Sequence, residues 1–179
     1  LDGVSELVKL LLSGEIEIHG KRSKFNFLNA LTIQKEMIDI EVDDDNDIAD
    51  ILITHLENQD GFDNVKAIGH LIVHGMKHTV PHLITPELLK ELKNIVAYDP
   101  EHLPGEIKLI EAFAKRFPAT PQVACFDTAF HTTMPSVAKL LSIPRWLYKK
   151  GIQRYGFHGL SYAYLLEELE SIAGKETAS

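Results

Sequence analysis

The segment Gln122-Val123-Ala124-Cys125-Phe126-Asp127 decides how the larger part of this sequence folds. A short apolar run that is followed at once by an aspartate predicts a buried strand with a carboxylate at its C-terminal end. Upstream, residues 65–73 form a second apolar run, which breaks at His74-Gly75 and predicts another buried strand. The two expected strands therefore place polar loops at their C-terminal ends, where α/β proteins hold catalytic groups.

Helical spacing of apolar residues surrounds these two strands. Thr85-Pro86 predicts the start of one helix, and residues 107–114 lie in a second one. The last helix is expected over 161–172, with Leu165, Leu166 and Leu169 facing inward, and it ends at Gly174. Residues 175–179 are expected to be a frayed end. Strands alternating with helices indicate an α/β class with a mixed sheet.

The N-terminal part has a different pattern. Apolar and polar residues alternate in three runs between positions 12 and 42, which predicts two or three antiparallel strands. The acidic run at 43–47 lacks the glycine and the final glutamate of a calcium loop. We therefore predict that it begins a helix, which continues to about Glu57, because carboxylates favour a helix N-terminus.

Composition and charge restrict the function classes. The 179 residues are 45% hydrophobic and carry a net charge of −8, which argues against nonspecific binding to nucleic acid. No apolar run approaches the roughly 20 residues of a membrane-spanning helix. The single cysteine, Cys125, cannot form an internal disulfide, so we expect a cytoplasmic protein.

Most of the polar residues that could take part in catalysis or ligand binding fall in four loops: 69–75, 99–104, 126–135 and 154–161. Asp127 follows a strand and can associate with Mg²⁺, which prefers oxygen ligands. Gly156 and Gly159 allow the backbone to approach a phosphoryl group closely, and His158 between them can stabilise charge there. The four loops together favour a phosphoryl-transfer site.

Two other sites are not favoured by the sequence. The histidines at 70, 74, 78 and 82 repeat every four residues, but the stretch contains Gly75 and Pro81 and begins as a strand, so a helical metal site is not expected. Cys125 lies inside an apolar strand, where a free cysteine is usually packed and unreactive.

The motifs in these loops resemble those of the acetate kinase family, short-chain carboxylate kinases of the actin-like, sugar-kinase and Hsp70 ATPase superfamily. The resemblance covers about 65–174, is looser before Val65, and depends above all on two stretches: Val123-Ala124-Cys125-Phe126-Asp127-Thr128-Ala129-Phe130-His131 with Thr133-Met134-Pro135, and Arg154-Tyr155-Gly156-Phe157-His158-Gly159 with Ser161. Gly69-His70, Val73-His74-Gly75 and Pro100-Glu101-His102 match as well.

The resemblance implies an incomplete N-terminal lobe of an actin-like, ribonuclease H-like ATPase fold, formed by residues 1–179 as a single partial domain. It implies the reaction of ATP with acetate to give acetyl phosphate and ADP, with Mg²⁺ as cofactor. The nucleotide-binding lobe would be absent, and the chain is expected to be inactive alone. A homodimer is also implied.

The implied roles fall on eight residues. Asp127 is the Mg²⁺-associated carboxylate, His158 stabilises the transferring phosphoryl group, and His102 assists nearby. Val73 and Phe157 line the pocket for the substrate methyl group. Gly159 and Ser161 contact the nucleotide phosphates. Leu71 occupies the substrate-binding position at which the family has an arginine.

The sequence also departs from the family pattern. Leu71 stands where the family has an arginine that binds the substrate carboxylate, and a leucine cannot replace a cationic fork. Leu160 replaces a threonine, and the family's Asn-Ala-Gly-Ser-Ser-Ser-Leu-Lys phosphate loop has no counterpart. Two alternatives therefore stay open: a divergent non-catalytic homologue acting as a binding or regulatory module, and a kinase for propionate, butyrate or a longer acid.

Overall fold

The computed structural model describes residues 9–19, 22–42 and 45–174, in two compact units that divide after Leu56. In the first unit, strands β1 (Leu12–Glu17), β2 (Arg22–Asn29) and β3 (Gln34–Glu41) form an antiparallel sheet in the order β1-β2-β3. The alternating runs thus do form strands. Helix α1 (Asp45–Glu57) follows, and the ring of His55 packs on Phe25 and Phe27. The helix ends where the sequence predicts.

The second unit contains a small mixed sheet. Strands β4 (Ile68–Ile72), β5 (His82–Leu83) and β6 (Gln122–Phe126) lie in the order β4-β6-β5. β4 is parallel to β6, with Ile72 opposite Phe126, whereas β5 is antiparallel to β6. The parallel pair is the feature that positions the candidate site, because it brings the C-terminal ends of β4 and β6 to one edge.

Five α-helices lie in the described part of this unit: α2 (Pro86–Asn94), α3 (Leu103–Arg116), α4 (Ser136–Lys139), α5 (Arg145–Tyr148) and α6 (Gly159–Ala173). α2 begins as predicted, since the Thr85 hydroxyl accepts a hydrogen bond from the Leu88 N–H at 3.2 Å. A 3₁₀ turn, Asp127–Thr133, follows β6 directly.

The core of the second unit lies between its sheet and helices α2 and α3. Ile72 and Phe126 from the parallel strands pack with Leu92 of α2 and with Leu103 and Ile110 of α3, all of them at most 1% exposed. Burial of such apolar side chains supplies the main driving force for folding. It fixes α3, and with it the loop that precedes α3, against the end of β4.

Two expectations about burial are wrong. The strand expected over 65–73 is shorter, and its side chains alternate: His70 and Ile72 are buried, but Leu71 is 51% exposed. Leu165, Leu166 and Leu169 of α6 are exposed rather than inward, at 59%, 41% and 39%. Helical periodicity identifies an apolar face, but it does not identify an element that covers that face.

Some expectations fall outside the part of the chain that the structure describes. The frayed end at 175–179 is one of them, and the first two aspartates of the acidic run at 43–47 are another. Among the described residues, no helix combines the length and the apolar character needed to cross a bilayer.

Candidate functional site

The third and fourth predicted loops meet at Asp127. This side chain is 5% exposed, and its Oδ1 accepts a hydrogen bond from the Leu160 N–H at 3.2 Å. Leu160 lies in the first turn of α6, where unpaired N–H groups and the helix dipole favour a carboxylate. Asp127 therefore joins the end of β6 to the start of α6.

Gly159 allows this close approach. A Cβ atom at Gly159 would overlap the carbonyl oxygen of Asp127 and would lie 2.6 Å from Cβ of Phe130. Any side chain at this position would push α6 away from the turn after β6. The glycine predicted to approach a phosphate thus first serves to bring the helix N-terminus against the Asp127 backbone.

His158 precedes α6 in a left-handed backbone conformation, with φ 58° and ψ 25°. Such a conformation is uncommon for a residue with a side chain and is concentrated at functional sites. The His158 side chain is exposed at the helix N-terminus. Its imidazole is thus accessible beside the N–H groups of the first turn, which is the place where an anion is favoured.

His131 holds the backbone just before His158. Its Nε2 donates a hydrogen bond to the carbonyl oxygen of Phe157 at 2.8 Å. The ring lies directly over Gly156, where an added Cβ would come 2.7 Å from Nδ1. His131 and Gly156 therefore pack directly against each other, and this contact sets the position of the Phe157 backbone.

Two backbone N–H groups attach the loop after β4 to its surroundings. The Val73 N–H donates to Oε1 of Glu106 at 3.1 Å, and the Gly75 N–H donates to the Thr128 hydroxyl at 3.0 Å. Between them, His74 is 4% exposed, and its Nδ1 accepts from the Met76 N–H at 3.1 Å. The neutral tautomer with its proton on Nε2 follows from that acceptor role.

An aromatic cluster surrounds His74 and connects the loops. Its ring centroid lies 4.6 Å from that of Tyr155, 5.6 Å from that of Phe157 and 6.1 Å from that of Tyr98. Burial lowers the pKa of His74, although the charge of Asp99 acts against this. His74 is thus an uncharged packing residue that places Phe157 next to the loop of Val73.

His70 also has a structural role. It is buried in β4, and its Nε2 donates to Oε1 of Gln122 on β6 at 2.6 Å. Burial lowers the pKa of His70, so the ring is neutral at pH 7. Leu71, the next residue, projects from the opposite face of β4 because side chains alternate along a strand.

The second predicted loop is ordered by Asp99. This aspartate is 9% exposed, and its Oδ1 accepts both the His102 Nδ1–H at 2.8 Å and the His102 N–H at 3.3 Å. The hydrogen bond that the His102 ring donates to Asp99, and the negative charge of Asp99, raise the pKa of His102. His102 is itself exposed, which leaves its other ring nitrogen accessible for a ligand.

We expect Asp99→Asn to lower the pKa of His102, because the amide keeps an acceptor but removes the negative charge that favours the imidazolium. The measurement is the pH titration of the His102 ring protons by NMR in both proteins. Asp63→Asn, at an exposed position, is the control for the change in net charge. An identical His102 titration in the variant would contradict the assignment.

Glu106 belongs to the site, although the four predicted loops do not include it. Burial raises its pKa to about 7, the Val73 N–H lowers it, and the charges of Asp99 and Asp127 raise it while His102 lowers it. A sequence signal was available: Glu106 falls at helical spacing with Leu103, Ile107 and Ile110, on the buried face of α3. A glutamate on a buried helix face is unusual, because glutamate side chains are mostly exposed to solvent.

Some of the predicted site residues contact one another's loops in the structure, and others are exposed to solvent. Asp127, Gly159 and Phe157 are joined to neighbouring loops by the contacts above, and Val73 is held by Glu106. His102 and Asp127 both act on the pKa of Glu106. Five of the predicted residues are exposed: Leu71 on β4, His102 before α3, and Phe157, His158 and Ser161 around the start of α6.

Known proteins of one family match most of the chain. The sequence profile of the acetokinase family matches residues 4–179, which includes the part before Val65. The chain belongs to the acetokinase family. An acetate kinase from Rhodopseudomonas palustris is 42% identical over 129 residues, which cover 72% of this chain and 32% of that protein. An acetate kinase from Mycoplasma capricolum subsp. capricolum is 33% identical over 177 residues, 98% of this chain and 42% of that protein.

A solved structure of a propionate kinase is similar to this chain over most of its length. The propionate kinase from Francisella tularensis subsp. tularensis SCHU S4 superposes with a TM-score of 0.82 at 34% identity, over 94% of this chain and 44% of that one. The α/β class and the actin-like ATPase fold of the acetokinase family are thereby confirmed. The matches cover about a quarter to two fifths of the length of the curated relatives.

Proposed function

We propose that the protein containing this chain transfers a phosphoryl group from ATP to acetate, and that the described residues form one side of the site. In this reaction a carboxylate oxygen forms a bond to the γ-phosphorus, the bond from that phosphorus to the bridging oxygen breaks, and ADP leaves. The observation that carries the proposal is the convergence of Val73, Asp127 and the α6 N-terminus at the C-terminal end of the parallel β4–β6 pair.

Each group has a role that its surroundings support. The exposed His158 at the start of α6 stabilises the transferring phosphoryl group, and the N–H groups of Gly159 and Ser161 face the nucleotide phosphates. His102, with a raised pKa, adds positive charge near the same group. Val73 and Phe157 form the apolar surface for the substrate methyl group. Preorganised dipoles and charges of this kind supply most of the catalysis in phosphoryl transfer.

The residues fit Mg²⁺ only in an indirect role. Within the described ranges, no group of three His, Cys, Asp or Glu side chains is arranged to hold a metal. Mg²⁺ commonly keeps several waters and is held by one or two carboxylates together with substrate phosphates. Asp127 is suited to be such a carboxylate, and the ion, when bound, would supply charge neutralisation of the phosphates.

The leucine at position 71 leaves two alternative functions open, which the assay described below distinguishes. A non-catalytic binding module is favoured by the loss of a carboxylate-binding cation at this position. A kinase for another short acid is favoured by the similarity to the Francisella tularensis propionate kinase. Homodimerisation and a cytoplasmic location stay predictions.

The proposed activity is tested by hydroxamate detection of acyl phosphate with acetate, propionate and butyrate. We expect the longest natural product of this gene to form product and the 179 residues alone to remain at the blank, because they span under half of their relatives. Product with propionate or butyrate but not with acetate would replace acetate as the substrate. No product with any acid would contradict the kinase and favour the binding module.

In the same assay, Leu71→Arg is expected to raise kcat/KM for acetate at least about tenfold, because a guanidinium pairs with a carboxylate through charge-assisted bonds. Leu83→Arg on β5 is the matched control, since Leu83 is 58% exposed in the same sheet. An equal effect of both substitutions would contradict a specific role for position 71. If the parent protein and Leu71→Arg are both inert, the kinase proposal fails.

A further inference from the structure

Glu106 connects α3 to the loop after β4, and no role for it follows from the four motif loops. It lies in the first turn of α3, between the buried residues Leu103 and Ile107. The burial of these two neighbours fixes the helix against the core, so the Glu106 carboxyl is carried on a rigid element. A side chain on a rigid helix can hold a loop more accurately than a loop residue can.

The two oxygens of Glu106 have different surroundings. Oε1 accepts the hydrogen bond from the Val73 N–H at 3.1 Å. Oε2 is buried and has no hydrogen-bond partner among the described residues. A buried, unpaired carboxylate oxygen is costly, whereas a protonated oxygen carries no charge in that environment.

Three charged or titratable side chains and one backbone N–H group act on Glu106. Asp99 and His102 belong to the loop before α3, Asp127 lies at the end of β6, and the Val73 N–H lies at the end of β4. Asp99 has its own buried oxygen, Oδ2, without a partner among the described residues. Two acidic neighbours and one basic neighbour thus act on a carboxyl that is already poorly solvated.

We propose that Glu106 is a positioning residue of this site, which holds the Val73–Gly75 loop through the Val73 N–H and tightens that hold when its carboxyl loses a proton. A hydrogen bond to a carboxylate is roughly twice as strong as one to a neutral acceptor. The loop carries Val73 and His74, and His74 in turn contacts Phe157. An effect of Glu106 on the apolar surface for the substrate methyl group rests on the proposed function. Its effect on the position of the Val73–Gly75 loop does not.

The test on the 179-residue chain is a pH titration of the Val73 amide by ¹H–¹⁵N NMR, without divalent cations. In the parent chain we expect the Val73 amide proton to move downfield with a midpoint near the Glu106 pKa of about 7. Glu106→Gln keeps an acceptor and similar volume but does not titrate, so this transition is expected to disappear. Glu111→Gln on the exposed side of α3 is the matched control and should keep the transition.

A second readout is amide hydrogen exchange at Val73. Glu106→Ala removes the acceptor, and exchange is expected to accelerate about threefold to tenfold at constant pH. Below the Glu106 pKa of about 7, Glu106→Gln should stay near the parent value, because both proteins then offer a neutral acceptor. A Val73 transition that persists in Glu106→Gln would overturn the proposal, and so would unchanged exchange in a folded Glu106→Ala chain. If the alanine variant does not fold, the glutamine titration decides alone.

Where the full-length gene product is active, Glu106→Ala should raise KM for the carboxylate with little change in kcat. A merely structural loss would lower both the active fraction and the thermal stability instead. The NMR readouts do not need kinase activity. An inert kinase with a Glu106-dependent Val73 amide would overturn the proposed function and leave the positioning role supported.

Discussion

Gly159→Ala is expected to destabilise the second unit by about 3 kcal/mol or more, because overpacking against backbone has no cheap relief. The new Cβ would overlap the Asp127 carbonyl oxygen and would lie 2.6 Å from Cβ of Phe130. Neither atom lies at the end of a flexible side chain, so either α6 or the turn after β6 must move. Displacement of α6 would also break the hydrogen bond between the Leu160 N–H and Asp127.

The measurement is the free energy of unfolding in urea, with the Leu160 amide shift as a local readout. Gly105→Ala is the matched control, because nothing lies within 4 Å of a Cβ there and the residue is in helix α3. Alanine favours a helix over glycine, so the control should be neutral or more stable by up to about 1 kcal/mol. Equal unfolding energies for the two variants would contradict the close contact at Gly159.

Asp127→Asn is expected to lower kcat of the active gene product by at least about a hundredfold, since it removes the negative charge proposed to associate with Mg²⁺. Its effect on stability should be small, within about 1 kcal/mol, because asparagine and aspartate accept hydrogen bonds at a helix N-terminus about equally well. The Leu160 N–H thus keeps its acceptor. Activity and stability are expected to separate in this variant.

The measurement combines the acyl phosphate assay over a range of Mg²⁺ concentrations with urea unfolding of each variant. Asp127→Ala removes charge and acceptor together and should lower both activity and stability. Asp63→Asn, at an exposed position of the same unit, controls for a change in net charge. Full activity in Asp127→Asn would exclude the proposed role, and a parallel loss of stability would assign a purely structural one.

Much of the site is visible in the sequence because its residues follow short-range rules. An aspartate after an apolar run places Asp127 at the end of β6, and glycines on both sides of His158 indicate a close backbone approach. The motif order then leads to the family, which the profile match confirms. These features depend on neighbours along the chain, so one sequence is enough to find them.

Other features depend on partners far along the chain. The distances in sequence are 33 residues between Val73 and Glu106 and 26 between His131 and Phe157. Periodicity places Glu106 on a buried face of α3, but it does not indicate which N–H the carboxyl meets. Periodicity also failed to predict that Leu165, Leu166 and Leu169 of α6 are exposed, because an apolar face is buried only where another element covers it.

The amino-acid sequence by itself determined most of the strands and helices, the four polar loops and the family, because local periodicity, turn residues and motif spacing carry that information. It did not indicate the short strand β5 or the short helices α4 and α5. Only the tertiary structure decided that β4 and β6 are parallel neighbours and that their loops share one edge. It also decided that Gly159 and Gly156 are packing positions and that Glu106 holds Val73. The physical reason is that burial and hydrogen-bond pairing are set by which elements meet in space, and that depends on the whole fold rather than on any segment of it.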